Sequence, residues 1–136
     1  MDRLISRLAC YGGNLVDSAA PFTEGMTKAQ LAAKQGRKAI ILMTDGENTI
    51  SPMYPQHNGT DVNLSNQKLT ELCSRVKSDD IDVYTVSFMV PSQTIKDLLT
   101  NCASSPAKYF DADTGTELFA AFQRIGESLS TVRLTQ

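Results

Sequence analysis

Histidine is nearly absent from this sequence. His57 stands alone in a loop that also holds Pro52 and Pro55, so no Ser-His-Asp set can be assembled. Neither GxGxxG nor GxxxxGK[ST] occurs, which removes the usual phosphate-cradling loops. No apolar run approaches the roughly 20 residues that a membrane-spanning helix needs. The formal charge is -2, from 13 basic and 15 acidic residues, and no basic stripe exists to follow a phosphate backbone. Nucleic acid is therefore not an expected partner. There are 3 cysteines and no CxxC pair. Cys10, Cys73, Cys102 and His57 could supply a Cys₃His zinc set only at spacings that match no compact zinc motif. A disulfide between two cysteines, with one left over, fits better. The N-terminus, MDRLISRLACYGG, has no continuous apolar core for a secretory signal, because Arg3 and Arg7 interrupt it. Either the chain is cytosolic or a targeting segment lies upstream.

What is present suits one compact domain: 136 residues, 41% hydrophobic and 21% charged, within the ordinary globular range. Residues 1–37 read as an N-terminal segment of helix and loop. Leu4, Ile5 and Leu8 suggest one short helix. Thr27 would cap a second, with Leu31 and Ala32 facing inward and Gly36 at the C′ position with positive φ. From Lys38 the pattern is regular. Ala39–Met43 is an unbroken apolar run, as in strands covered on both faces. A long polar loop follows, to about Asn63. Ser65 looks like an N-cap, with Leu64 and Leu69 as a hydrophobic staple. Leu69, Leu72, Cys73 and Val76 then share one helix face. Ile81–Val90 reads as a second strand, rich in β-branched and aromatic residues. Ser92 opens a helix with Ile95, Leu98, Leu99 and Cys102 inside. Tyr109-Phe110 marks a third strand. Thr114–Glu117 is a capping box for a last helix whose buried stripe would be Leu118, Phe119, Phe122, Ile125 and Leu129. Strand and helix alternate three times, which predicts an α/β fold with a parallel sheet and helices packed on it.

Two stretches could carry chemistry. In Met43–Thr49, Asp45 falls where the first strand should end, and open α/β sheets bind ligands beyond strand C-termini. A carboxylate there can hold Mg²⁺ directly or through water; Asp45 and Gly46 can equally be a plain turn. In Asp111–Thr116, the sequence DADTGT resembles the DxDxT start of haloacid-dehalogenase-type phosphatases, but too little chain follows to supply their remaining motifs. A calcium loop fails as well, since Phe122 stands at its twelfth position. A strand end feeding a capped helix is the better account. Asn58 and Asn63 begin sequons that would matter only in a eukaryotic secreted protein.

The segment AIILMTDGENT, Ala39–Thr49, resembles the fourth strand of von Willebrand factor A (vWA) domains and the loop after it. Further stretches extend the likeness: Leu72-Cys73, Lys77, Ile81–Phe88, Leu98–Ser104 with Cys102, Tyr109-Phe110, and Val132–Gln136. Together with Pro21–Gly25, they look like the C-terminal part of TadG-like proteins of bacterial tight-adherence (Flp) pilus systems. The likeness covers about residues 20–136. It implies the C-terminal half of a Rossmann-like, three-layer vWA fold spanning 38–136. It also implies an extracytoplasmic setting, periplasmic or cell-surface, with a membrane anchor upstream. One departure stands out. A vWA metal site draws on a DxSxS, a Thr from a middle loop and an Asp after the fourth strand. Only the Asp has a counterpart here, Asp45, so the chain reads as a fragment or a short gene product.

These observations set the expectations. The chain should be a non-catalytic protein-interaction module of a pilus assembly or adhesion protein, with Asp45, Gly46, Glu47, Asn48 and Thr49 as its binding segment. The alternative is a phosphatase or phospho-acceptor enzyme using Asp45 or Asp111. No cofactor is expected, and Mg²⁺ or Mn²⁺ should bind weakly at most. Partners should be pilus or envelope proteins, with no nucleic acid and no membrane contact by this segment. Cys73 and Cys102, both inside their helical stripes, should form a disulfide if the two helices pack on one side of the sheet, leaving Cys10 free. The strand Ala39–Met43, lacking its usual neighbour, should promote self-association.

Overall fold

The computed structural model describes residues 25–46 and 62–131. Its elements are α1 (Lys28–Ala33), β1 (Lys38–Thr44), α2 (Val62–Ser78), β2 (Ile81–Phe88), α3 (Gln93–Cys102), a 3₁₀ turn (Pro106–Lys108), β3 (Tyr109–Ala112) and α4 (Gly115–Thr131). The three strands form one parallel sheet in the order β1-β2-β3. This is the expected mixed α/β architecture. The expected helix around Leu4–Leu8, the Glu47–Asp61 loop, Cys10 and His57 lie outside the described residues.

Strand order rises steadily across the sheet, so two crossovers of the same hand place their helices on the same face. Both α2 and α3 accordingly pack on β2 and on each other. Their stripes supply the larger core: Leu69, Cys73 and Val76 from α2, Ile95, Leu99 and Cys102 from α3, and Leu42, Ile81 and Val83 from the strands. Leu72 and Leu98 are half-buried at its margin. Leu69 and Leu99 are both 0% exposed, so truncating either to alanine should cost about 2–5 kcal/mol. The opposite face is thinner. There Tyr84, Val86 and Ile125 form a small cluster with Ala39, Phe110 and Leu118.

Thr27 and Gln30 form a complete capping box at α1, and Thr114 and Glu117 do the same at α4. Other local expectations are corrected. At the end of α1, the positive φ falls on Gln35, at 50°, not on Gly36. The amides of Gln35 and Gly36 donate to the carbonyls of Ala32 and Leu31, closing the helix as a Schellman motif. At Gly36 space is tight, since a Cβ there would sit 3.2 Å from Leu31 Cδ2 and would make that side chain shift by a few tenths of an ångström. Ala32 is exposed, while Leu31 is half-buried. Helix α2 begins at Val62, so Ser65 lies inside it, buried, and is not a cap; Leu64 is exposed and makes no staple with Leu69. Ser92 occupies the N-cap of α3 without a side-chain cap bond. Strand β2 stops at Phe88, because Met89 turns out with φ 54°. On α4 the inward residues are Leu118, Ala121 and Ile125, whereas Phe119 is 65% and Phe122 41% exposed. Among the described residues α4 packs chiefly on β2 and β3, and the outer part of the stripe lies beyond them. For the same reason β1 is not covered on both faces: Leu42 is buried, but Ile41 and Met43 are exposed.

Because α2 and α3 share one face, Cys73 and Cys102 meet and are disulfide-bonded, with their Cα atoms 5.2 Å apart. The bridge spans a sequence separation of 29 residues. In the chain-entropy account, a loop of that size contributes about 3–4 kcal/mol. Replacing both cysteines by serine should lower the urea midpoint by the corresponding amount. An unchanged midpoint, or both thiols alkylating in the denatured, unreduced protein, would show that the bridge is not formed.

Candidate functional site

Near their carboxyl ends the three strands carry a row of polar residues at one level. In the sheet register Thr44 pairs with Ser87, and Ser87 with Asp111. Residues in one register row share a face, here the face carrying α2 and α3. The row lies at the carboxyl ends of a parallel sheet, where such folds bind ligands. Thr44 and Ser87 are buried.

Ser87 is the hub of this row. Its Oγ donates to Asp111 Oδ1 at 2.7 Å and lies 3.0 Å from the Tyr109 hydroxyl. With the serine proton committed to the carboxylate, the Tyr109 O–H is the donor of the second bond. Lys96, one turn into α3, donates to Asp111 Oδ2 at 2.6 Å and lies 3.9 Å from Asp113. Each carboxylate oxygen of Asp111 therefore has a partner. Partial burial favours the neutral acid, but the bonds from Lys96 and Ser87 and the ammonium charge outweigh it, so the Asp111 pKa is lowered. The bond to Asp111 raises the Lys96 pKa, helped by the charges of Asp111 and Asp113 and opposed by burial. Burial raises the Tyr109 pKa, with Asp111 adding to the effect and Ser87 and Lys96 working against it. Chemically, this is a charge-neutral, hydrogen-bonded lock that joins β2, β3 and α3.

Asp45 stands apart from that lock. It is exposed at the end of β1, next to a half-buried Gly46. The Thr44 hydroxyl donates to the Gly46 carbonyl at 3.0 Å and accepts from the Gly46 amide at 3.2 Å. It is thus used within the turn and does not turn outward to help Asp45. Glu47, Asn48 and Thr49 lie outside the described residues. No group of three His, Cys, Asp or Glu side chains capable of holding a metal ion occurs among the described residues. Asp45 by itself does not fit a vWA-type ion site, which needs several oxygen ligands around a hard cation.

Sequence reasoning placed Asp45 at a strand end and Asp111 at another. It missed Ser87, Lys96 and Tyr109. A usable signal existed: Thr44, Ser87 and Asp111 each fall at or near the end of a strand run. The Lys96–Asp111 pair joins an α-helix to a strand 15 residues on, and no local pattern announces it.

No protein-family model matches the chain, and no curated protein sequence matches it. Among solved structures, the fold is similar to that of the pilus adhesin SpaC from Lactobacillus rhamnosus GG, with a TM-score of 0.63 and 12% sequence identity. The superposition covers 93% of this chain and 19% of the adhesin chain. At that identity the likeness is one of fold, and the chain spans well under half the length of that adhesin.

Two outcomes follow from this geometry. Calorimetric titration with Mg²⁺ or Mn²⁺ should give weak binding or none, unchanged by Asp45→Ala; micromolar affinity abolished by that substitution would contradict the reading. The Lys96–Asp111 pair should also shape stability against pH. A depressed carboxylate pKa gives stability that is present above the unfolded-state value and lost as pH falls through the folded one. The raised Lys96 pKa gives stability that is lost only as pH rises through its folded value. Asp111→Asn should therefore flatten the acid limb of the stability curve below about pH 4. An unaltered acid limb would show that the pair does not contribute.

Proposed function

We propose that the chain is a non-catalytic, vWA-like interaction module of a bacterial pilus assembly or adhesion protein, of the TadG-like kind, working outside the cytoplasm. The observation that carries this reading is the agreement of two separate likenesses. The strand-end segment Ala39–Thr49 resembles the fourth strand and loop of vWA domains. The fold superposes on a pilus adhesin over 93% of the chain. The Cys73–Cys102 bridge supports an oxidising setting, since stable disulfides belong mainly to extracytoplasmic proteins. Among the described residues no helix is long and apolar enough to cross a membrane, so an anchor, in this reading, belongs elsewhere in the protein.

In this reading the lock at the strand ends is structural, and the phosphatase or phospho-acceptor alternative rests on Asp45 or Asp111 as nucleophile. Ser87 and Lys96 hold the two oxygens of Asp111 and tie β2, β3 and α3 together. Asp45 is exposed and belongs to no group of three His, Cys, Asp or Glu side chains among the described residues. The binding segment in this reading starts at Asp45 and Gly46 and continues through Glu47, Asn48 and Thr49, and its partners are pilus or envelope proteins.

Deleting the gene in the bacterium that encodes it should reduce piliated cells in electron micrographs and surface attachment together, with restoration by the wild-type copy. The protein should fractionate with the envelope. Normal piliation and attachment in the deletion strain would remove the proposal. Hydrolysis of an aryl phosphate in the presence of Mg²⁺, lost on Asp45→Ala or Asp111→Asn, would install the enzymatic reading instead.

A further inference from the structure

We infer that two copies of this chain pair through the open edge of β1, antiparallel, about a two-fold axis at Ile41. The inference stands apart from the proposed function, since it uses only the strand and its charges.

Strand β1 is the terminal strand of the sheet, with β2 on one side and no strand on the other among the described residues. An unpaired strand edge is a template for another strand. Helix α4 packs over β2 and β3, leaving Ile41 41% and Met43 44% exposed on its side of β1. Apolar residues are thus exposed along the same strand whose outer edge meets no other strand among the described residues.

The sequence of the strand selects its partner. From Arg37 to Asp45 it reads RKAIILMTD, with two cations before the apolar run and one anion after it. Antiparallel pairing about Ile41 sets Arg37 of each copy against Asp45 of the other. It also sets Lys38 against Thr44, Ala39 against Met43, Ile40 against Leu42, and Ile41 against itself. Every apolar residue meets an apolar residue, and the charges at each end are opposite. Cross-strand pairs of both kinds stabilise a sheet, and like charges directly opposite destabilise it. A parallel arrangement in the same register would set Arg37 and Lys38 against their own copies. The antiparallel arrangement is isologous and closes as a dimer. The result is one six-stranded sheet, with Ile41, Met43 and Ala39 of both copies forming a continuous apolar strip between the two α4 helices.

Light scattering on the intact chain should give twice the 14.8 kDa chain mass at high concentration, falling to the monomer on dilution. In a Cys10→Ser background, Ile41→Cys should cross-link into a dimer on mild oxidation, while Met43→Cys, which the register sets opposite Ala39, should do so far less. Arg37 is 65% exposed and lies 3.7 Å from Asp82, which keeps Lys108 as a partner, so Arg37→Glu should leave the fold in place, checked by circular dichroism and by an Asp82→Asn control. Arg37→Glu should weaken the dimer roughly tenfold by setting like charges opposite at both ends, and Arg37→Glu with Asp45→Arg should restore it. A monomer at all concentrations overturns the inference, including one whose β1 amides resist hydrogen exchange because another part of the chain covers them. So does a dimer that ignores the charge reversal, or that cross-links best through position 43.

Discussion

The structure depends on β2 being buried on both faces. Val83, Tyr84, Thr85, Val86 and Ser87 are all at most 3% exposed. A strand so placed cannot leave polar groups unmet, because an unpaired buried donor or acceptor costs about 1–3 kcal/mol. Strands β1 and β3 satisfy most of its backbone. Strand β3 begins only opposite Thr85, and Ser104 fills the gap above it: its amide donates to the Val83 carbonyl and its hydroxyl accepts from the Val83 amide. The side chains are met as well. Thr85 donates to the Leu99 carbonyl in α3, Tyr84 bonds Ser128 in α4, and Ser87 reaches Asp111 in β3.

That requirement accounts for the strand-end lock. Ser87 is fully buried, so its hydroxyl needs a partner, and Asp111, with its side chain 38% exposed, supplies the acceptor. Lys96 reaches it from the first turn and a half of α3, a helix already held by Ile95, Leu99 and the bridge to Cys73. A second charged group closes the other end of the sheet, where Asp82 pairs with Lys108 and Arg37 and the Lys108 ammonium lies 5.2 Å from the Tyr84 ring. The charges thus bracket the apolar layer at both ends. Asp45, just past the end of β1, is an exposed acidic group outside that bracket.

Much of this was legible in the sequence because it is local. The apolar runs gave β1 and β2, the stripes at Leu69–Val76 and Ile95–Cys102 gave α2 and α3, and the Thr27 cap and the Thr114–Glu117 capping box marked α1 and α4. Where local pattern misled, tertiary geometry had decided. Phe119 and Phe122 look like core residues on a helical wheel, yet among the described residues nothing covers them. Ser65 looks like a cap, yet the helix begins before it and buries it. Gln35 adopts the left-handed conformation usually left to glycine, while Gly36 makes room for Leu31. The site divides the same way. Asp45 and Asp111 could be found from strand ends, but the Lys96 contact needs α3 to fold back over β3, which no local spacing encodes.

Native-state hydrogen exchange tests the central role of β2 most directly. If the sheet is built around this strand, amides of Val83–Ser87 should be among the slowest to exchange. They should share one opening free energy with the inner amides of α2 and α3, equal to that of global unfolding. Amides of α4, held by the smaller cluster around Tyr84 and Ile125, should open at lower free energy. Exchange of the β2 amides as fast as those of α4, or ahead of the α2 and α3 cores, would contradict the account.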